Sequence, residues 1–278
     1  MKFIPSKTFL LGEYVAIYGG PAMVALTNPC FSMDMEKQLH PSCMAARLWH
    51  DHRGAPCDWG LKDPYVAKGG MGASSAEFLL AYQALFTSES LNLLDLHQTF
   101  LRYANNGTGR LPSGYDVLAQ TGQGCVVVES SPLKVNSMPW SLDELGFVLV
   151  HTENKLATHT HLSQLDLDLN WKVLANHVEQ GCEAMLASDA DRWLQAIDSF
   201  YQNVLQQHLV SSYTQHLISK WKSQMPILAA KGCGAMGSDV IVMFARVENI
   251  ADIVEKLHYA KHHVLATQHE LYFENAKN

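Results

Sequence analysis

Lys68-Gly69-Gly70-Met71-Gly72-Ala73-Ser74-Ser75-Ala76 runs without a break into Glu77-Phe78-Leu79-Leu80-Ala81-Tyr82, a glycine-rich turn feeding a stretch of good helix formers. A helix start leaves backbone N–H groups without intrahelical partners at the positive end of its dipole, and glycine lets a polyphosphate approach that backbone closely. The segment therefore reads as a phosphate loop, with a turn capped by serine as the plainer alternative. Its lysine precedes the glycines, so it is not the G-x-x-x-x-G-K-[ST] loop of the P-loop proteins.

Two further small-residue segments lie towards the ends of the chain. Pro5-Ser6-Lys7-Thr8-Phe9-Leu10-Leu11-Gly12-Glu13-Tyr14 stands near the start, and Lys231-Gly232-Cys233-Gly234-Ala235-Met236-Gly237-Ser238-Asp239 near the end. The second contains a G-x-G-x-x-G match, but a strand-like run, Val240-Ile241-Val242-Met243-Phe244, follows where a dinucleotide site needs a helix. No H-R-D or D-F-G pair accompanies these segments, which excludes a protein kinase. A fourth stretch, Pro112-Ser113-Gly114-Tyr115-Asp116-Val117-Leu118-Ala119, places an aspartate in a turn-like setting.

In this order the four segments resemble the signature motifs of the GHMP small-molecule kinases, the family of galactokinase, homoserine kinase, mevalonate kinase and phosphomevalonate kinase. The resemblance covers nearly the whole chain. It implies an α+β, two-domain GHMP-kinase-like fold, with an N-terminal nucleotide-binding domain over residues 1–150 and a C-terminal α/β substrate domain over 151–278. It also implies ATP and Mg²⁺. Gly69, Gly70, Gly72, Ala73, Ser74 and Ser75 would then cradle the triphosphate, with Ser74 as a Mg²⁺ ligand. Asp116 would orient or deprotonate the acceptor hydroxyl, and Lys7 would stabilise charge on the transferring phosphoryl group. Ser113, Gly114, Thr158, Gly234 and Gly237 would meet the substrate.

Tyr115 and Asp239 tilt the resemblance towards phosphomevalonate kinase, with mevalonate kinase or diphosphomevalonate decarboxylase as the alternative. The cations expected to meet an acceptor phosphate are Lys68, Arg110, Lys155 and Lys231. Four positions depart from the family pattern and favour a second alternative, an inactive member that binds a metabolite. Ala73 replaces a serine, Asn105 stands where mevalonate kinases carry a glutamate, and Met236 and Ser238 replace glycines and are expected to crowd the third loop.

Composition agrees with such a protein. The chain has 278 residues, 47% hydrophobic and 17% charged, enough to bury a full core. A net charge of -7 argues against nonspecific nucleic-acid binding, which needs basic surfaces to neutralise phosphates. The six cysteines include no Cys-x-x-Cys pair, so free thiols are expected in place of a zinc site or redox dithiol. His151, His159 and His161 cluster near the middle without a partner carboxylate and are expected to be solvated. No run approaches the roughly 18 apolar residues of a membrane span, and Met1-Lys2-Phe3-Ile4-Pro5 is too soon interrupted for a signal peptide. The expectation is a cytoplasmic protein with a small-molecule substrate and no membrane or nucleic-acid partner; a homodimer is compatible with the sequence.

Periodicity predicts strands at Ala22–Leu26, Gly124–Glu129, Leu145–His151, Val240–Phe244, His263–Ala266 and Leu271–Phe273. It predicts helices at Ser75–Phe86, Leu91–Ala104 and Glu248–Tyr259, and a mostly helical layer from Leu169 to about Trp221.

Overall fold

The computed structural model describes residues 2–86, 91–105, 111–153, 170–234 and 237–274. Two antiparallel sheets carry the architecture. The first contains β1 (Phe3–Leu11), β2 (Ala22–Asp34), β4 (Cys125–Ser130) and β5 (Leu133–Met138) in the order β1-β2-β4-β5, and the short β3 (Gly60–Lys62) pairs with the far end of β2. The second holds β6 (Leu145–His151), β7 (Ala229–Cys233), β8 (Val240–Arg246) and β9 (Val264–Thr267) in the order β7-β8-β6-β9.

Alternation along the strands sends side chains to two cores. In β2, Met23 and Ala25 join the main core, whereas Ala22, Val24 and Leu26 join a smaller cluster under α4 (Tyr115–Ala119). In β1, Phe9 faces that same smaller cluster, and Lys7, two residues earlier, shares its face. Strand geometry thus aims the Lys7 ammonium at α4.

The main core is continuous between the sheets. It takes in α1 (Met44–Arg53), α2 (Ala73–Leu85) and α3 (Leu93–Ala104) on one side, and α5 (Trp171–Leu186), α6 (Ala190–Gln206), α7 (Ser212–Gln224) and α8 (Ile250–Tyr259) on the other. At Gly181 of α5, an added Cβ would lie 2.5 Å from Leu11 Cδ1 of β1 and 3.5 Å from the Trp193 ring of α6. Close packing therefore joins β1, at the start of the chain, to helices of its second half.

The predicted helical layer is present as three helices, because Asp189 and Ser211 each cap a new start by accepting from the N–H three residues on. Leu271–Phe273 is not a strand: Leu271 makes a single bridge to Thr27 after a 3-10 turn at Gln268–Glu270. All six cysteines are free, with Cys57, Cys125 and Cys233 buried. Among the described residues no helix is long and apolar enough to cross a membrane.

Candidate active site

Lys7 and Asp116 meet at a cleft of about 840 Å³. Their Nζ and Oδ2 atoms are 3.1 Å apart, with the lysine side chain 11% exposed and the aspartate 38%. Asp116 lies in the first turn of α4, which begins at Gly114 in the left-handed region (φ 73°). Glycine is required at 114 because a Cβ would fall 2.6 Å from the His97 ring, whose Nε2 is 2.8 Å from the Ser113 carbonyl. Tyr115 is fully buried and donates its hydroxyl to the Gly20 carbonyl at 2.9 Å, so its side chain holds α4 to the loop before β2 and does not reach the cleft.

The glycine-rich turn before α2 forms the adjoining wall. Gly72 is the N-cap in the left-handed region, and no side chain caps the first turn. The Ser75 hydroxyl turns back to the Gly72 carbonyl at 3.0 Å, while Ser74 is exposed towards the cleft. The serine-capped turn is therefore not what forms: the first-turn N–H groups of α2 open onto the cleft without a side-chain acceptor. The turn is anchored to β1, since Lys7 N–H donates to the Met71 carbonyl at 3.0 Å and Gln120 Nε2 bridges the Pro5 and Gly72 carbonyls at 2.8 and 3.3 Å.

The cleft floor holds an ion pair. Lys231 Nζ lies 2.8 Å from Glu13 Oε1, with the two side chains 0% and 8% exposed. Burial alone would push the Lys231 ammonium down, but Cys233 and Glu13 outweigh it and hold it above the ordinary lysine value of 10.5. The neighbouring Cys233 thiol is pushed up to about 11 by burial, which keeps it protonated near neutrality. Lys231 is thus not a cation open to an acceptor phosphate, because it is enclosed and paired. Among the described lining residues the remaining lysines are Lys7, Lys37 and Lys68, against the carboxylates of Glu13, Asp63, Glu77, Asp116 and Asp239.

Of the residues singled out in the sequence, Lys7, Gly69, Gly70, Gly72, Ala73, Ser74, Ser75, Ser113, Gly114, Asp116 and Gly234 all border this one cleft. Gly237 does not. It sits behind the wall at φ 61°, so close to β7 that a Cβ on Gly232 would be 2.2 Å from its carbonyl oxygen. Ser238 is 1% exposed and turned inward, so it does not crowd the cleft as expected. Asn105 ends α3 on the exposed surface and is not part of the lining. Thr158, Arg110, Lys155, His159, His161 and Met236 fall outside the described residues.

Sequence reading missed the roles of Gln120, His97 and Glu13. Gln120 carried a usable signal, as a polar residue closing the apolar run Val117-Leu118-Ala119. Glu13 stood inside a recognised segment, but its partner lies at the other end of the chain.

By sequence the chain matches no protein-family model and no curated protein. By structure it is similar to the Streptococcus pneumoniae phosphomevalonate kinase in complex with phosphomevalonate and AMPPNP, with TM-score 0.75 and 12% identity over 98% of this chain and 99% of that one. A Lin0012 protein from Listeria innocua gives TM-score 0.74 and 15% identity over 95% and 96% of the two chains. The L. major mevalonate kinase in complex with R-mevalonate gives TM-score 0.65 and 19% identity over 92% and 90%. At such identities likeness speaks for architecture, and because it spans both sheets and nearly all of each chain, this protein has the α+β fold of the GHMP kinases.

Proposed function

We propose that this protein is an ATP- and Mg²⁺-dependent small-molecule kinase that phosphorylates a small hydroxy- or phospho-acid, with phosphomevalonate as the first acceptor to test. The observation that carries the reading is the uncapped N-terminus of α2 opening beside the Lys7–Asp116 pair. A polyphosphate laid on those N–H groups would bring its terminal phosphoryl group to a carboxylate and an ammonium, the two groups that phosphoryl transfer to a hydroxyl requires.

In this reading Asp116 accepts the proton of the acceptor hydroxyl, and Lys7 neutralises charge on the transferring group. The donors present suit Mg²⁺, since the Ser74 hydroxyl and the Glu77 carboxylate on the lining are hard oxygens. Bound with the nucleotide, Mg²⁺ would offset phosphate charge. We take residues 1–150 as the nucleotide half and 151–278 as the acceptor half, with a homodimer compatible with either role. The likeness to the phosphomevalonate kinase bound to phosphomevalonate and AMPPNP, together with Ser113-Gly114-Tyr115-Asp116, supports the choice of acceptor. A coupled assay of ADP release against mevalonate, phosphomevalonate, homoserine and galactose tests the proposal. Turnover with one acceptor is expected; metabolite binding without nucleotide binding would replace the kinase by a sensor.

A further inference from the structure

The phosphate loop touches the third glycine segment directly. A Cβ built on Gly69 would lie 3.2 Å from Asp239 Cγ, 3.2 Å from its Oδ2 and 3.3 Å from its Oδ1, so the carboxylate rests flat against that glycine. One residue on, a Cβ on Gly70 would lie 2.7 Å from Val240 Cγ2 and 3.0 Å from Asp239 Cβ. The sequence suggested that these glycines leave room for a ligand. The structure gives them a nearer reason: room for Asp239 and Val240.

Asp239 is itself unusual. Its φ is +70°, a left-handed backbone that glycine, asparagine and aspartate take more readily than other residues. The surrounding chain enforces it. Thr152 N–H donates to the Asp239 carbonyl at 2.9 Å, Val240 N–H donates to the Ser238 carbonyl at 2.9 Å, and the Thr214 hydroxyl of α7 donates to the Gly237 carbonyl at 3.1 Å. The close crossing of Gly237 over Gly232 fixes the same segment against β7. A side chain mounted on so constrained a backbone has little freedom to leave Gly69.

We propose that Asp239 is a positioning residue that sets the backbone of residues 69–72, so that the phosphate loop and segment 237–240 behave as one body. The other side of the loop is already fixed to β1 through Met71 and Gly72. With Asp239 in place, the α2 N–H groups are presented to a nucleotide in one geometry, and a shift of the C-terminal segment is transmitted to them. The nucleotide part of this proposal rests on the kinase reading; the contact itself does not.

A double-mutant cycle on the full-length protein tests it. Gly69 lies outside the left-handed region, so Gly69→Ala probes the contact without straining the backbone. Asp239→Gly removes the partner, and Asp239→Asn keeps its size and tolerance of positive φ while removing the charge. Binding of Mg²⁺–AMPPNP is measured by calorimetry, and thermal melting is followed without ligand. Gly69→Ala should weaken binding about tenfold, as expected for residues in direct contact. The double variant Gly69→Ala/Asp239→Gly should be no weaker than Asp239→Gly alone, because the new methyl then has nothing to strike. Asp239→Asn should bind within about twofold of wild type, the margin of independent sites. Effects of the two changes that simply multiply in binding, or add in melting, would overturn the proposal. Wild-type protein that does not bind Mg²⁺–AMPPNP would overturn the kinase reading instead, and the melting cycle would then decide the contact by itself.

Discussion

Asp116 and Lys7 divide the proposed chemistry between a base and a charge stabiliser, and the two roles can be separated. Asp116→Asn removes the base while leaving the α2 turn untouched, so turnover should fall about a hundredfold or more with nucleotide affinity measured by calorimetry unchanged. Retained turnover would show that the carboxylate is a structural partner of Lys7. Lys231 belongs to a different class of residue. Lys231→Met leaves Glu13 buried without its counter-charge, which should cost about 3–5 kcal/mol of stability in chemical denaturation. The Lys231 ammonium is held above the ordinary lysine value of 10.5, so the stability it contributes is fully present below that pH and is lost as pH rises through the folded value. Wild type should therefore lose stability in alkaline solution more steeply than Lys231→Met. Local spacing and residue type picked out Lys7, Asp116 and the loop glycines, which the fold brings to one cleft. Glu13 and Lys231 were each visible, but their pairing depends on β1 and β7 meeting in space, which no local pattern encodes.

At the level of elements, α2 presents its start to the cleft only because Gly72 can take a left-handed backbone at φ 87° with the Lys7 stem against it. A Cβ at Gly72 would fall 2.7 Å from Lys7 Cγ and 3.1 Å from Gln120 Nε2. Gly72→Val should thus displace Lys7 and distort the helix start together, abolishing nucleotide binding, whereas Ser74→Ala removes one hydroxyl and should weaken it only several-fold. Calorimetry with Mg²⁺–AMPPNP compares the two, and equal affinities for Gly72→Val and wild type would reduce the turn to a plain helix cap. Elements with strong periodicity or apolar runs were legible: α2, α3, α8, β6 and β8 lie close to their predicted spans. Those missed have physical reasons. β5, Leu133–Met138, is an edge strand with no fully buried side chain, and β3 has three residues. α1 has only a narrow buried face, Ala45, Ala46 and Leu48, and carries His50, His52 and Arg53 in its last turn, so it shows no strong apolar period.

For the whole molecule, the continuous core argues that the two sheets unfold together. Trp59, near β3, and Trp193, on α6, are both fully buried in that core. Far-ultraviolet dichroism and tryptophan fluorescence should therefore trace a single coincident melting transition; two separated transitions would mean that residues 1–150 and 151–278 each hold a core of their own. The overall arrangement was legible from the sequence only through the resemblance of its four motifs, since strand order and the packing of α5 on β1 leave no local trace. The lining of the cleft has a last effect, on how fast a ligand arrives. With Glu13 paired to the buried Lys231, four further carboxylates face three lysines there, on a chain of net charge -7, so a free nucleotide tetra-anion approaches against an unfavourable field. Dissolved salt screens that field over about 10 Å at 0.1 M. In stopped-flow measurements the association rate of metal-free AMPPNP should rise with ionic strength, while that of the Mg²⁺ complex should change less, and a rate that falls with salt for both would show that cations beyond the cleft dominate the approach.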